Sequence, residues 1–180
     1  MTVMEQSSTM IEIEVKLRVG SAAEACALLG RLPATPGEGR AFENNEIYDT
    51  PDGAFFLAHR LLRLRTVGDR GLITYKEKVK TDLHAKVRAE IQTGVSSPDA
   101  ARAILLKLDF TCVYRYQKYR SHFAWTDPDG RDLAITLDET PIGVFLELEG
   151  PAPAIDHAAR RMGFTGADYI IYDYRMLHQA

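Results

Sequence analysis

Cysteine is scarce in this chain. Only Cys26 and Cys112 occur among 180 residues, far apart and without a metal-ligand spacing. That spacing excludes a cysteine-built metal site, and the simplest expectation is two buried thiols of a reduced compartment. Long apolar runs are missing as well. None approaches the length needed to span a bilayer, and the opening MTVMEQSST lacks the apolar core of a signal peptide. A cytoplasmic protein with no membrane association is therefore expected. Neither sign of charge dominates: the formal net charge is -3, so no overall basic field points to specific nucleic-acid binding, and any positive site must be local. Low-complexity segments and clean repeats are absent too. The histidines, His59, His84, His122, His157 and His178, show no ligand spacing. With 46% hydrophobic residues, the chain can build one well-buried domain and is short for two. The expectation is a flexible segment over 1–10 followed by a single domain over 11–180.

What is abundant is alternation. IEIEVKLRV, residues 11–19, places aliphatic side chains at every odd position and Glu12, Glu14, Lys16 and Arg18 at the even ones. Successive side chains of a strand point to opposite faces, so this is a strand with one apolar and one charged face. LLRLRTV and GLITYKEKV are two more such runs, joined as a hairpin at GDRG, and HAKVRAEIQTGV, CVYRYQKYRSHFAW, DLAITLDE and VFLELEG follow. NNEIYDTPDG reads as a short strand closed by a turn at Pro51, Asp52 and Gly53. Helices are expected at SAAEACALLGRL, capped by Ser21 with Glu24 three residues on, and at SPDAARAILLKLDF, with Ser97 as cap and Pro98 in the first turn. Two more are expected at APAIDHAARRMGF and YIIYDYRMLHQ.

A one-residue slip would move every side chain to the other face, so parity is informative. The charged parity carries Glu12, Glu14 and Lys16, then Arg63 and Arg65, Thr74 and Lys76, Arg88 and Glu90, Lys118 and Arg120, Thr136 and Asp138, Glu147 and Glu149. Two arrangements account for it. An antiparallel sheet can leave a polar face in water, or the sheet can curl so that the charges line a cavity, where acids and bases must pair or a charged ligand must fill it. In the second arrangement the guest is legible from the chemistry. Arginine and lysine suit phosphate oxygens, and clustered carboxylates suit a hard cation such as Mg²⁺, which binds a few carboxylates plus phosphates and water.

These residues also resemble a known family. IEIEVK looks like the E-x-E-x-K signature of the CYTH superfamily, the triphosphate tunnel metalloenzymes, which includes class IV adenylate cyclases, thiamine triphosphatases and inorganic triphosphatases. YDTPD, LLRLR, ITYK, VRAEI, QKYR and LDETPIGVFLELEG are similar to its further blocks in order. YRML resembles its terminal S-Y-x-x-L, with Asp173 where serine is usual. The resemblance implies a CYTH-like α+β fold, an eight-stranded antiparallel β-barrel with helices packed outside. By the family pattern Glu12, Glu14, Glu147 and Glu149, with Asp138 nearby, would bind Mg²⁺ or Mn²⁺. Lys16, Arg63, Lys76, Lys118 and Arg120 would hold phosphates, as would Arg65 and Arg88, for which an internal salt bridge is an equal alternative. Glu12, Glu14 and Lys16 are the catalytic candidates. The implied substrate is a triphosphate-containing small molecule: tripolyphosphate, a nucleoside triphosphate or thiamine triphosphate. Three functions stay open: a divalent-metal-dependent triphosphatase, which needs no dedicated nucleoside pocket and is favoured; a class IV adenylate cyclase; and a non-catalytic polyphosphate-binding module. Assembly as a homodimer stays open as well.

Overall fold

The structure is a computed structural model that describes residues 10–81 and 85–179. Among these residues there are nine strands: β1 (Met10–Val19), β2 (Thr35–Pro36), β3 (Ala41–Asp49), β4 (Arg60–Val67), β5 (Arg70–Thr81), β6 (Lys86–Val95), β7 (Thr111–Thr126), β8 (Asp132–Thr140) and β9 (Gly143–Glu149). They hydrogen-bond in the order β2-β7-β3-β4-β5-β6-β1-β9-β8, and β7 also pairs with β8. The two-residue β2 is an appendage on Phe123 and Ala124 of β7. Among the described residues the other eight strands therefore form a closed cycle of pairings. The helices are α1 (Ala22–Leu29), α2 (Ala54–Leu57), α3 (Pro98–Lys107), α4 (Ala152–Met162) and α5 (Tyr174–Gln179).

The described residues group into two compact units, one within 10–11, 44–80 and 88–115, the other within 12–43, 81, 85–87 and 116–179. In the first, β3, β4 and β5 form a meander in which Asn45 lies opposite Arg65, Ile47 opposite Arg63, and Arg63 opposite Thr74. Gly68 takes φ +59°, the left-handed conformation that closes the tight β4–β5 turn at no steric cost. The apolar parity of this meander, Leu62 and Leu64 with Tyr48, packs against Ala101 and Leu105 of α3. Ala101 and Leu105 are four residues apart and share one helix face. Ser97 caps this helix by accepting from the Ala100 amide at 3.2 Å, and Asp99 and Lys107 suit the positive and negative ends of its dipole.

In the second unit β1, β9, β8 and the C-terminal half of β7 run side by side. Their apolar parity, including Val15, Leu17, Ile135, Leu137, Leu146 and Leu148, packs with Ala25 and Leu28 of α1 and Ile155, Ala158 and Met162 of α4. Removing one such leucine side chain would cost about 2–5 kcal/mol. Ser21 caps α1 as its sequence predicts, but Glu24 returns to the Gly20 amide rather than to that of Ser21.

Three local expectations are corrected. Cys26 is exposed and Cys112 half-buried, so neither is a core thiol. The last helix is confined to Tyr174–Gln179, because Ile170 exchanges two backbone hydrogen bonds with Lys16 and holds that stretch extended. The short helix α2 after the YDTPD turn was not expected. It forms because Asp49 accepts from the Phe55 and Phe56 amides, orphan donors of its first turn. His84 and the segment 1–10, apart from Met10 in β1, lie outside the described residues.

Candidate functional site

Most of the charged parity is buried or half-buried, as an enclosed face requires and a solvated one does not. Glu12 and Glu14 are each 7% exposed, Lys16 and Lys118 2%, and Asp138 0%. Lys76 and Arg120 are buried as well. Arg63, Arg65, Arg88 and Glu147 are half-buried, whereas Glu149 is exposed at the end of β9. Arg18 is also exposed, donating to the Ile142 carbonyl and lying over the Phe145 ring.

Strand register builds the second unit's polar face in rows. Lys16, Glu147 and Thr136 lie side by side on β1, β9 and β8; Glu14, Glu149 and Ala134 form the next row. On the other side of the Lys16 row, Arg18, Phe145 and Asp138 align, and Asp138 faces Arg120 of β7. Lys16 pairs with Glu14 and, at 3.2 Å, with Glu147. Arg120 grips Asp138 through Nε at 2.6 Å and Nη2 at 2.5 Å, and also reaches Glu147. Lys118 bonds Asp138 at 2.7 Å and lies 3.7 Å from Glu43.

Each ion sustains the others. Burial alone would drive the Lys16 ammonium toward its neutral form, but Glu14 and Glu147 outweigh it and the pKa is raised. Arg120 is likewise held well above its ordinary value against burial, by Asp138 and Glu147. Burial opposes ionisation of Glu147 too, yet Arg120, Lys16 and Lys118 hold this carboxyl well below the usual range. Lys16, Arg120 and Glu147 therefore each stay charged at neutral pH.

Two residues of this face went unnoticed among the candidates. Glu43, 3% exposed, is one; its parity on β3 is masked by Glu46, an equally buried acid on the opposite face that is held by Arg102 and Arg115. Tyr174 is the other. It is 5% exposed, donates its hydroxyl to Asp138 at 2.7 Å, and places its ring 5.4 Å from Lys16 Nζ and 5.1 Å from Lys118 Nζ. Burial, then Glu147 and Asp138, push its phenol well up, so it remains a donor. Its only sequence signal is the YRML block.

In the first unit the cations meet neutral as well as acidic partners. Arg63 Nη2 donates to the Thr74 hydroxyl at 3.2 Å, which donates to Gln92 Oε1 at 3.0 Å. Arg65 Nε donates to Asn45 Oδ1 at 3.2 Å. Lys76 pairs with Glu90 at 2.9 Å, the acid two residues along β6 from Arg88. Among the described residues no three His, Cys, Asp or Glu side chains stand together as a ready-made metal site. No helix among them is long and apolar enough to cross a membrane.

This arrangement can be set beside known proteins. The structure of a candidate adenylate cyclase from Vibrio parahaemolyticus superposes with a TM-score of 0.78 at 19% identity, over 96% of this chain and 100% of that one. A Pyrococcus horikoshii protein gives 0.74 at 23% identity, over 92% and 98%. A candidate adenylyl cyclase from Hippeastrum, described as having a dominant triphosphatase activity, gives 0.64 at 16% identity, over 93% and 95%. No protein of curated function matches the chain. The shared fold is the closed eight-stranded antiparallel β-barrel with helices outside. The CYTH domain model matches residues 10–162, and with its ordered motifs and cyclic barrel the chain belongs to the CYTH family, whose enzymes act on triphosphates.

Proposed function

We propose that this protein is a divalent-metal-dependent triphosphatase that removes the terminal phosphate of an inorganic or organic triphosphate. The observation that carries this reading is the burial of Lys16, Lys118 and Arg120 on one polar face with Glu12, Glu14 and Glu147. An enclosed set of cations and carboxylates is costly unless each charge is compensated, and a metal-bound polyphosphate compensates both signs at once. Lys16, Lys118 and Arg120 in the second unit, and Arg63, Arg65, Lys76 and Arg88 in the first, are the residues proposed to bind phosphate oxygens.

The carboxylates differ in how well they suit a metal. Glu12 and Glu14 of β1 and Glu149 of β9 supply hard oxygen donors, with Glu14 directly opposite Glu149 in register, and they would hold Mg²⁺ or Mn²⁺. Glu147 would join them on exchanging Lys16 and Arg120 for the ion. Asp138 fits this role poorly: its two oxygens already accept from Lys118 Nζ, Arg120 Nε and Nη2, and the Tyr174 hydroxyl. Its proposed part is to orient those cations. When bound, the ion supplies charge neutralisation at the phosphate oxygens.

Phosphoryl transfer asks the protein mainly for position and charge stabilisation. Lys16 and Arg120 are held in place by acids before any ligand enters, so their donors need little reorganisation to meet the charge that develops on the phosphate. Water adds to the terminal phosphorus, the bridging P–O bond breaks, and the remaining diphosphate leaves. The dominant triphosphatase activity described for the Hippeastrum protein supports hydrolysis.

The second reading, an adenylate cyclase, draws on the description of the Vibrio protein and on the aromatic set Tyr116, Tyr174 and Phe145, whose rings stand 5.5 Å apart in sequence of contact and could stack on a base. Incubation with ATP and Mg²⁺ or Mn²⁺, followed by chromatographic separation, distinguishes the two. Orthophosphate and ADP are expected; cyclic AMP and pyrophosphate as the main products would replace the triphosphatase reading with the cyclase one. Cytoplasmic location is part of the proposal, as are a triphosphate-containing small molecule as partner and a homodimer as an open form of assembly.

A further inference from the structure

Asparagine is a poor strand former, yet β3 carries Asn45 at its centre with no exposure at all. Register places it directly opposite Arg65, on the strand face shared with Arg63. Arg65 Nε donates to its side chain at 3.2 Å. A guanidinium can only donate, so the atom facing it must be the carboxamide oxygen, and the amide nitrogen is turned away from Arg65. That nitrogen, with two N–H donors, has no hydrogen-bond partner among the described residues.

A buried donor left unsatisfied costs about 1–3 kcal/mol, and such groups in native proteins call for an explanation. Across the ladder stand more donors, the Arg65 and Arg63 guanidiniums, the latter already steered by Thr74, whose own proton goes to Gln92, while the acid on the same strand face, Glu43, lies 3.7 Å from Lys118 Nζ. A group that satisfies the Asn45 amide beside two guanidiniums must therefore be rich in acceptors and negative. A phosphate oxygen has both properties.

We propose that Asn45 is a binding residue of the triphosphate site: its Oδ1 fixes the orientation of Arg65, and its Nδ2 donates to a non-bridging phosphate oxygen. This rests on the triphosphate reading above and adds to it a neutral donor that sequence parity did not single out. The test is Asn45→Asp, which keeps an oxygen for Arg65 but replaces the outward donor by a negative acceptor, with Asn45→Ala as the second variant. Tripolyphosphate binding with Mg²⁺ is measured by calorimetry, and the melting temperature is measured without ligand. Both variants should fold, and each should bind at least about tenfold more weakly than wild type, the loss expected for a hydrogen bond to a charged group. Asn45→Asp should be the weaker of the two.

Wild-type affinity in a folded Asn45→Asp would overturn the proposal while leaving the triphosphate reading intact, and would assign the amide to a buried water. Failure of both variants to fold would overturn it in favour of a purely structural role. A wild-type protein that does not bind tripolyphosphate would overturn the functional reading, and this proposal with it.

Discussion

Asp138 and Arg120 face one another across the β7–β8 ladder, joined by two hydrogen bonds of 2.6 and 2.5 Å between carboxylate and guanidinium. A bidentate pair of this geometry is among the stronger polar contacts a protein makes. Lys118 and Tyr174 complete the coordination of the same carboxylate. The motif places Asp138 near the metal, whereas its surroundings give it the work of holding three side chains in place. Asp138→Asn should therefore lower stability by about 3–5 kcal/mol, the scale for removing one partner of a buried ion pair, as read by urea unfolding. A variant of unchanged stability whose activity needs much more metal would return Asp138 to the ligand set.

Lys118 and Arg63 share a predicted role but differ in setting, and their alanine variants should separate. Lys118 is 2% exposed and bonded to a fully buried aspartate; its loss should depress the melting temperature of the ligand-free protein. Arg63 is half-buried and donates to the Thr74 hydroxyl. Arg63→Ala should leave melting within a few degrees of wild type while largely abolishing the stabilisation that tripolyphosphate gives by binding the folded state. Thermal melts of both variants, with and without tripolyphosphate and Mg²⁺, decide this. Ligand-induced stabilisation undiminished in Arg63→Ala would remove that residue from the site.

Acid sensitivity can be examined away from the candidate site, at the β7–β8 turn. Burial works against ionisation of Asp127, but the Arg131 amide and guanidinium and the Asp129 amide outweigh it, so its pKa is lowered. A carboxyl depressed on folding adds stability above its unfolded pKa of about 3.9 and loses it as pH falls through the folded value. Asp127→Asn should thus be less stable than wild type at neutral pH, and the difference should shrink as pH drops below about 4. Urea midpoints across this range provide the check; a gap that widens toward acid would contradict the sign.

Much of this architecture is legible in the sequence because alternation and parity are local. IEIEVKLRV gives both the strand and the face of Glu12, Glu14 and Lys16, and the Ser97-Pro98 start of α3 follows from capping chemistry. The burial of that face is not legible, since the same alternation serves a solvated sheet; it emerges once the strands pair in a cycle. Ile170 shows the limit from another side. Its surroundings have helical composition, but two backbone bonds to Lys16, distant in sequence, override local preference. Tyr174 and Asn45 were missed for a related reason: their importance lies in what they touch, Asp138 and Arg65, and not in their own spacing.

The account's central claim is metal-dependent hydrolysis at the buried carboxylates and cations. Its most direct test is the initial rate of orthophosphate release from tripolyphosphate, with Mg²⁺ or Mn²⁺ and with a chelator, for wild type and Glu12→Gln. Wild type should turn over only with the divalent ion, and Glu12→Gln should remain folded but lose nearly all of that turnover, because a Mg²⁺ site has few protein ligands to spare. Undiminished release in chelator, or wild-type rates from Glu12→Gln, would contradict it.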